Sequence, residues 1–342
     1  MSPIIDDRPP LGPSLIAPMR NLFLAVGVLP FFLVIALVVF SLASPQFLGI
    51  DNLVNVARQS VYLILVSLGQ MLVLMTAGFD LAVGTAIALT SVVSAMVMVR
   101  VAAFLPDAVG VAIVLGAVAG IAAALVLGIV NGVGVAKFGV SPFIMTLGVQ
   151  SIGAGASLFL TGGVPISGLP PEFADTFGFG RVLGLPVPVL VALVCIAAVW
   201  VFVQRGRVGR HILAIGGNPK AARLSGIDVT RTLIVAYCLC SFLASIAGLL
   251  LTARVESGES NLGGTIALES IAACVIGGVS LRGGMGRVEN VVLGAFFIVL
   301  VQNGMNLAQI GSYMQMVLIG VLLVAAVVAD QIRYRSLLGA RS

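Results

Sequence analysis

Apolar residues in this chain neither alternate with polar ones, as a half-buried strand requires, nor mark one stripe of a helix; they run almost unbroken for about twenty residues at a time. A hydrocarbon core roughly 30 Å thick is crossed by about 20 residues of helix, so each run reads as a membrane span. Ten are placed, at 21–43, 60–77, 81–99, 108–131, 142–160, 186–204, 233–253, 263–279, 290–308 and 312–329. The eighth is the least regular, because Glu269 falls inside it. An outer-membrane barrel is excluded, since its strands alternate apolar and polar.

Composition agrees with this pattern. Of the 342 residues, 60% are hydrophobic and 9% charged, where a soluble domain carries about 25% charged. The expected fold is an all-α polytopic membrane protein. Residues 1–20 hold Asp6, Asp7 and five prolines, which suits a disordered tail rather than the basic start of a cleaved signal. The first apolar run is also too long for a signal core.

Charge sets the expected orientation. Residues 205–231 contain Arg205, Arg207, Arg210, Lys220, Arg223 and Arg231 against Asp228 alone, an excess equal to the net +5 of the whole chain. Short loops with such an excess stay cytoplasmic. Arg333, Arg335 and Arg341 mark the tail at 332–342 the same way. Ten spans with both termini inside satisfy both segments and put the charge-poor Thr161–Leu185 stretch outside. The basic balance is thus an orientation signal, and no nucleic-acid partner is expected.

A short repeat adds symmetry. Gly84-Thr85-Ala86-Ile87-Ala88-Leu89-Thr90-Ser91 returns as Gly264-Thr265-Ile266-Ala267-Leu268-Glu269-Ser270, one residue shorter. The copies open spans three and eight, five apart, so a five-span repeat inserts in the opposite sense. The expectation is two inverted five-helix repeats, about 21–160 and 186–329. Glycine-interrupted segments at equivalent places in inverted repeats point to a transport pathway. Asp80 lies in such a segment, Ala77-Gly78-Phe79-Asp80-Leu81-Ala82-Val83-Gly84. It reads either as a cap on the third span or as part of a re-entrant turn lining a cavity, and the two are compatible.

Uncharged amides are the main polar groups inside the spans: Gln70, Asn131, Gln150, Gln302, Asn303 and Asn306. Any one of them can be interhelical glue, and together they suit a neutral polyol. Gln70, Asp80, Asn303 and Asn306 are the candidate pathway residues. Buried carboxylates are too few for a proton- or sodium-coupled pump. Gly116, Gly120, Ala124, Gly128 and Gly132 place a small residue at every fourth position of span four, a face for close helix packing within the chain rather than a dimer seam.

No catalytic site, metal site or cofactor site is expected. The chain lacks G-x-x-x-x-G-K-[ST], G-x-S-x-G and H-E-x-x-H. Cys195, Cys238, Cys240 and Cys274 sit in apolar runs, and His211 has no ligand-type neighbours. Any energy for transport is expected from another chain. In the basic loop, Asn218-Pro219-Lys220-Ala221-Ala222-Arg223-Leu224-Ser225-Gly226 has the marks of a short helix: Asn218 as cap, Pro219 at the first position and Gly226 to end it. Two turns are not stable alone in water. This helix needs a surface, either its own membrane domain or a partner.

Residues 209–227, Gly209-Arg210-His211 through Gly226-Ile227, resemble the cytoplasmic loop of sugar-type ABC importer permeases, the ribose, xylose and autoinducer-2 group. Leu68-Gly69-Gln70 with Gly78-Phe79-Asp80-Leu81-Ala82-Val83-Gly84, Asn131-Gly132, the 141–148 stretch and the glycine-rich 276–286 stretch resemble that family's other signatures. The resemblance covers about residues 50–330. It implies a membrane subunit importing a monosaccharide or similar polyol across a bacterial inner membrane. Its implied companions are a second permease, an ABC ATPase subunit carrying ATP and Mg, and a periplasmic sugar-binding protein. It also implies that Asn218, Pro219, Lys220, Ala221, Ala222, Arg223 and Gly226 form the coupling helix seated in the ATPase. Lys220 stands where the family commonly has Glu, and Phe79 and Ala82 stand where Ile and Ser are usual. The other class of function open to the sequence is a stand-alone secondary transporter or facilitator.

Overall fold

A computed structural model describes residues 29–339, and within them the chain is almost entirely helical. The tail at 1–20, the first eight residues of the first predicted span and residues 340–342 lie outside the described residues. In chain order the helices are α1 (Leu29–Ala43), α2 (Ile50–Leu74), α3 (Val83–Phe104), α4 (Val109–Ala136), α5 (Pro142–Thr161), α6 (Val187–Arg205), α7 (Arg207–Gly217), α8 (Pro219–Leu224), α9 (Val229–Val255), α10 (Ile266–Ile276), α11 (Val288–Leu307) and α12 (Ser312–Gly339). Between α5 and α6 come one helical turn (Pro171–Phe173), a π-turn (Ala174–Gly178) and a tiny ribbon, β1 (Arg181–Val182) against β2 (Leu185–Pro186). Leu183 and Gly184, with φ of 52° and 83°, close that ribbon, as a two-residue hairpin loop requires.

Each of the ten predicted spans contains a helix, but their lengths differ from the expectation. Among the described residues, α2, α3, α4, α5, α6, α9 and α11 are long and apolar enough to cross a membrane. Leu29–Ala43, Ile266–Ile276 and Ser312–Ala325 are shorter apolar stretches. The eighth run, predicted over 263–279, is helical only over α10, whose 11 residues rise about 16 Å. Gly277 and Gly278 end it, the latter at φ 81°, and a segment without helix, 256–265, precedes it. The second run was drawn from residue 60, whereas α2 begins ten residues earlier. Asp51, Asn52, Asn55, Arg58 and Gln59 interrupt the apolar pattern without interrupting the helix. Asn52 shows why: its Nδ2 donates to the Phe47 carbonyl and to Asn303 Oδ1, both at 2.8 Å. At the other end of the chain, α12 continues through most of the stretch assigned to a tail.

The core lies between α2, α3, α9, α10 and α11, where Leu65, Leu68, Met71, Leu72, Ile87 and Phe297 are fully buried. The small-residue stripe of α4 is used inside the chain. A Cβ on Gly116 or Gly120 would strike Ser94 or Thr90 of α3, and one on Gly128 or Gly132 would strike Tyr237, Ser241 or Ile234 of α9. The outer faces of α5 and α6 carry exposed Phe143, Ile144, Ile152, Phe159, Leu193 and Val194, which suits lipid or another apolar surface.

Candidate functional site

Two places on this frame carry the predicted residues. The first is the basic loop, which folds into α7 and α8. Helix α7 was not expected, yet Val208, Ile212 and Ile215 recur at helical spacing and mark its inner side, with Ile212 and Ile215 buried. Arg207 and Arg210 face outward. Asn218 then breaks the helix with extended backbone (φ −162°, ψ 103°) and caps the next one. Its Oδ1 accepts from the backbone N–H groups of Lys220 and Ala221, each at 3.0 Å, and Pro219 occupies the first helical position, where no N–H is needed. At the far end Gly226 takes φ 80°. Its N–H donates to the Arg223 carbonyl and that of Ile227 to the Ala222 carbonyl, both at 3.1 Å. This is the glycine-terminated helix end with its usual apolar contact, Ile227 on Ala222.

Helix α8 is therefore closed at both ends and fastened on one side. Ala222 is 5% exposed and packs with Ile215 and Val229. Asp228 caps α9 directly behind it, accepting from Arg231 N at 2.9 Å. The opposite side is bare: Pro219, Lys220, Arg223 and Leu224 line a shallow surface depression, and Leu224 is 91% exposed. Of the two surfaces the sequence left open, the membrane domain takes one face and the other is uncovered in the isolated chain. Ala222 belongs to the seated face.

The second place is the break between α2 and α3. Asp80 is fully buried there. Its Oδ1 accepts from Ala82 N at 2.9 Å and from Asn131 Nδ2 at 3.3 Å. Oriented to satisfy both neighbours, the Gln70 amide donates to the Asp80 carbonyl at 3.0 Å and accepts from Asp80 N at 3.3 Å. Tyr237 of α9 donates its hydroxyl to the Phe79 carbonyl at 3.2 Å. The non-helical segment between α2 and α3 has backbone groups that no helix satisfies, and these side chains satisfy them. Asn131 and Tyr237 were not placed here by sequence; only the fold brings them to Asp80.

The remaining pathway candidates lie elsewhere. Asn303 of α11 forms a reciprocal amide pair with Asn52, its Nδ2 donating to Asn52 Oδ1 at 3.0 Å. Asn306 is exposed and accepts from Gln315 Nε2 at 2.7 Å. Gln70 and Asp80 thus form one group, while Asn303 and Asn306 bind α11 to α2 and α12.

A glycine junction connects the two places. The Gly284 N–H donates to the Met75 carbonyl at 2.9 Å. A Cβ on Gly216 would fall 1.8 Å from that same carbonyl oxygen and 2.3 Å from Gly284 N. The end of α7, the end of α2 and the loop after α10 therefore touch through bare backbone. Met75 is five residues before Asp80, and Gly216 two before Asn218. On the other side of the break, the two similar sequence segments come close: a Cβ on Gly84 would lie 2.4 Å from the carbonyl oxygen of Gly263, the residue before Gly264.

A bundle of long apolar helices with broken segments packed against each other, and a capped cationic helix on a basic loop, defines a multi-pass membrane transport subunit. The family model described as "Branched-chain amino acid transport system / permease component" matches residues 52–327, and the chain belongs to that permease family. It is similar to the ribose import permease of Escherichia coli strain K12, 39% identical over 302 residues that cover 87% of this chain and 91% of that protein. The ribose import permease of Bacillus subtilis strain 168 is 37% identical over 300 residues, 87% and 90% of the two chains. The D-allose transport system permease of Escherichia coli strain K12 is 36% identical over 304 residues, 88% and 90%. No solved structure matches.

Proposed function

We propose that this chain is the membrane-spanning subunit of an ATP-binding-cassette importer that brings a monosaccharide or similar polyol into the cytoplasm. Its permease family and its similarity to ribose and allose permeases support the substrate class. In this reading a separate ATPase subunit binds ATP and Mg and supplies the work, a periplasmic binding protein delivers the sugar, and a second permease completes the pathway. Both termini lie in the cytoplasm. Helices α1, α10 and α12 join the other seven to make ten membrane-inserted helices in two inverted repeats. The contact of Gly84 with Gly263 supports that symmetry, since equivalent segments meet there.

The observation that carries the coupling role is the two-sidedness of α8. One face is fixed to the membrane domain through Ala222, and the other offers Lys220, Arg223 and Leu224 to a partner. A push on that face is passed by Gly216 to Met75 and Gly284 and so to both broken segments. Gln70 and Asp80 hold the first of these, and Asn303 and Asn306 stand on the helix that flanks the second; all four are proposed pathway residues. The test is Leu224→Glu in the assembled complex. A charge on the bare face is expected to lower sugar uptake and transport-linked ATP hydrolysis at least tenfold, with the permease still in the membrane. Unchanged uptake removes α8 from the coupling path.

A further inference from the structure

Helix α10 carries a charge that the mechanism above does not use. Its Cys274 Sγ donates to the Ser67 carbonyl of α2 at 3.2 Å. The Gly284 N–H, beyond the end of α10, donates to the carbonyl of Met75, beyond the end of α2. The two helices therefore run in the same direction. Five residues before Cys274 stands Glu269, and five before Ser67 stands Tyr62, the middle residue of the 25-residue α2. Each of these steps is about 7–8 Å along its helix. Glu269 is thus about level with the midpoint of a helix long and apolar enough to cross a membrane.

Burial around α10 is one-sided. Ala267, Ser270, Ile271 and Cys274 are buried against the neighbouring helices. Thr265 is exposed, Leu268 is 59% exposed and Glu269 is partly exposed. Thr265 and Glu269, one turn apart, share a face, and the Thr265 hydroxyl donates to Glu269 Oε1 at 3.0 Å. Among the described residues no basic side chain pairs with this carboxylate. The open faces of α5 and α6 present Phe143, Ile144, Phe159, Leu193 and Val194 instead, surfaces that lipid can cover. A carboxylate in the first turn suits the helix dipole, but the dipole does not set which way the side chain faces. Against lipid a charge at this depth is costly, and such residues face a water-filled cavity or the interior of a bundle. Glu269 is not in the interior of this one.

We propose that Thr265 and Glu269 line the water-filled pathway this chain shares with a second permease, and that the Glu269 carboxylate takes the vicinal hydroxyls of a neutral sugar in passage. This rests on the importer reading above and adds to it a cargo-contact residue on the second broken segment. A carboxylate only accepts, and its two oxygens have room for two sugar hydroxyls beside the one from Thr265. Bonds to the ionised group are the stronger kind. The same charge repels sugars that carry an acid group of their own.

The test uses the assembled complex in liposomes. Thr265→Cys is made together with Cys195→Ser and Cys238→Ser, which remove the two partly exposed native thiols. Its labelling is followed with a cationic and with an anionic methanethiosulfonate, both soluble in water and not in lipid. The cationic reagent is expected to react at least about tenfold faster, as a focused negative potential requires. Adding Glu269→Gln should bring the two rates together. Leu193→Cys, on the outer face of α6, should react with neither. Should Thr265→Cys fail to assemble, Leu268→Cys on the same open side replaces it. No labelling by either reagent, or a preference that survives Glu269→Gln, overturns the proposal. For the cargo contact, Glu269→Gln keeps an acceptor for Thr265, so its thermal midpoint should hold. Its uptake of D-ribose or D-allose should fall at least about tenfold, the weight of a hydrogen bond to a charged group. Uptake like that of the parent overturns the contact, as does a midpoint that falls together with uptake. The parent complex tests the importer reading separately: labelling as expected, with sugar uptake that needs no ATP, removes that reading alone.

Discussion

Asp80 Oδ1 accepts from two donors, Ala82 N and Asn131 Nδ2, while Oδ2 is buried and meets none. The fold therefore uses this carboxylate to fasten the turn before α3 and not as the helix cap the sequence suggested: Ala82 is the residue at the cap, and no side chain bonds the first amides of the helix. The Gln70 amide holds the same residue by its backbone. Asp80→Ala removes an acceptor from both Ala82 and Asn131 and is expected to destabilise the protein by about 1–3 kcal/mol. Asp80→Asn keeps an acceptor oxygen and should lose less. Thermal unfolding of the purified variants measures both, and an alanine variant as stable as its parent would refute the clasp. The Asp80 break was legible because a carboxylate flanked by Gly78 and Gly84 interrupts two apolar runs. Asn131 was visible only as a buried amide, since its partner is 51 residues away.

At the scale of elements, the short helix α8 was readable because its signals are local: a cap, a proline and a terminal glycine within nine residues. Helix α7 went unread although Val208, Ile212 and Ile215 carry the period, because its basic residues dominate the loop. The half-length of α10 was unreadable, since an apolar run does not say where its backbone leaves the helix. The glycine junction belongs to this scale as well. Gly216→Ala puts a methyl group into backbone atoms of Met75 and Gly284 that have no side-chain freedom to yield. It should cost about 1–3 kcal/mol and reduce transport-linked ATP hydrolysis. Gly217→Ala, with nothing within 4 Å of its added Cβ, should stay within about 0.5 kcal/mol. Equal behaviour of the two variants, read by thermal midpoint and by ATPase rate in the complex, would remove the junction from the account.

At the scale of the whole molecule, the chain belongs to a transport permease family, and the proposal that another subunit supplies its energy can be tested directly. The purified chain alone in liposomes is expected neither to cleave nucleotide nor to move a sugar uphill. Adding the ATPase subunit and the binding protein should restore both activities. ATP-independent uptake at the rate of the full complex would instead make it a facilitator.

The sequence by itself determined the membrane solvent, the helical class, the ten apolar segments and the capped helix of the basic loop. Those follow from hydropathy and from backbone groups satisfied within a few residues. Tertiary structure decided which face of α8 is seated, that the stripe of α4 is spent on α3 and α9, and that Asp80, Gln70, Asn131 and Tyr237 meet. It also decided that Gly84 meets Gly263 and Gly216 meets Met75. Such contacts join residues far apart in the chain, where periodicity carries no information; only the packing of helices against one another selects them.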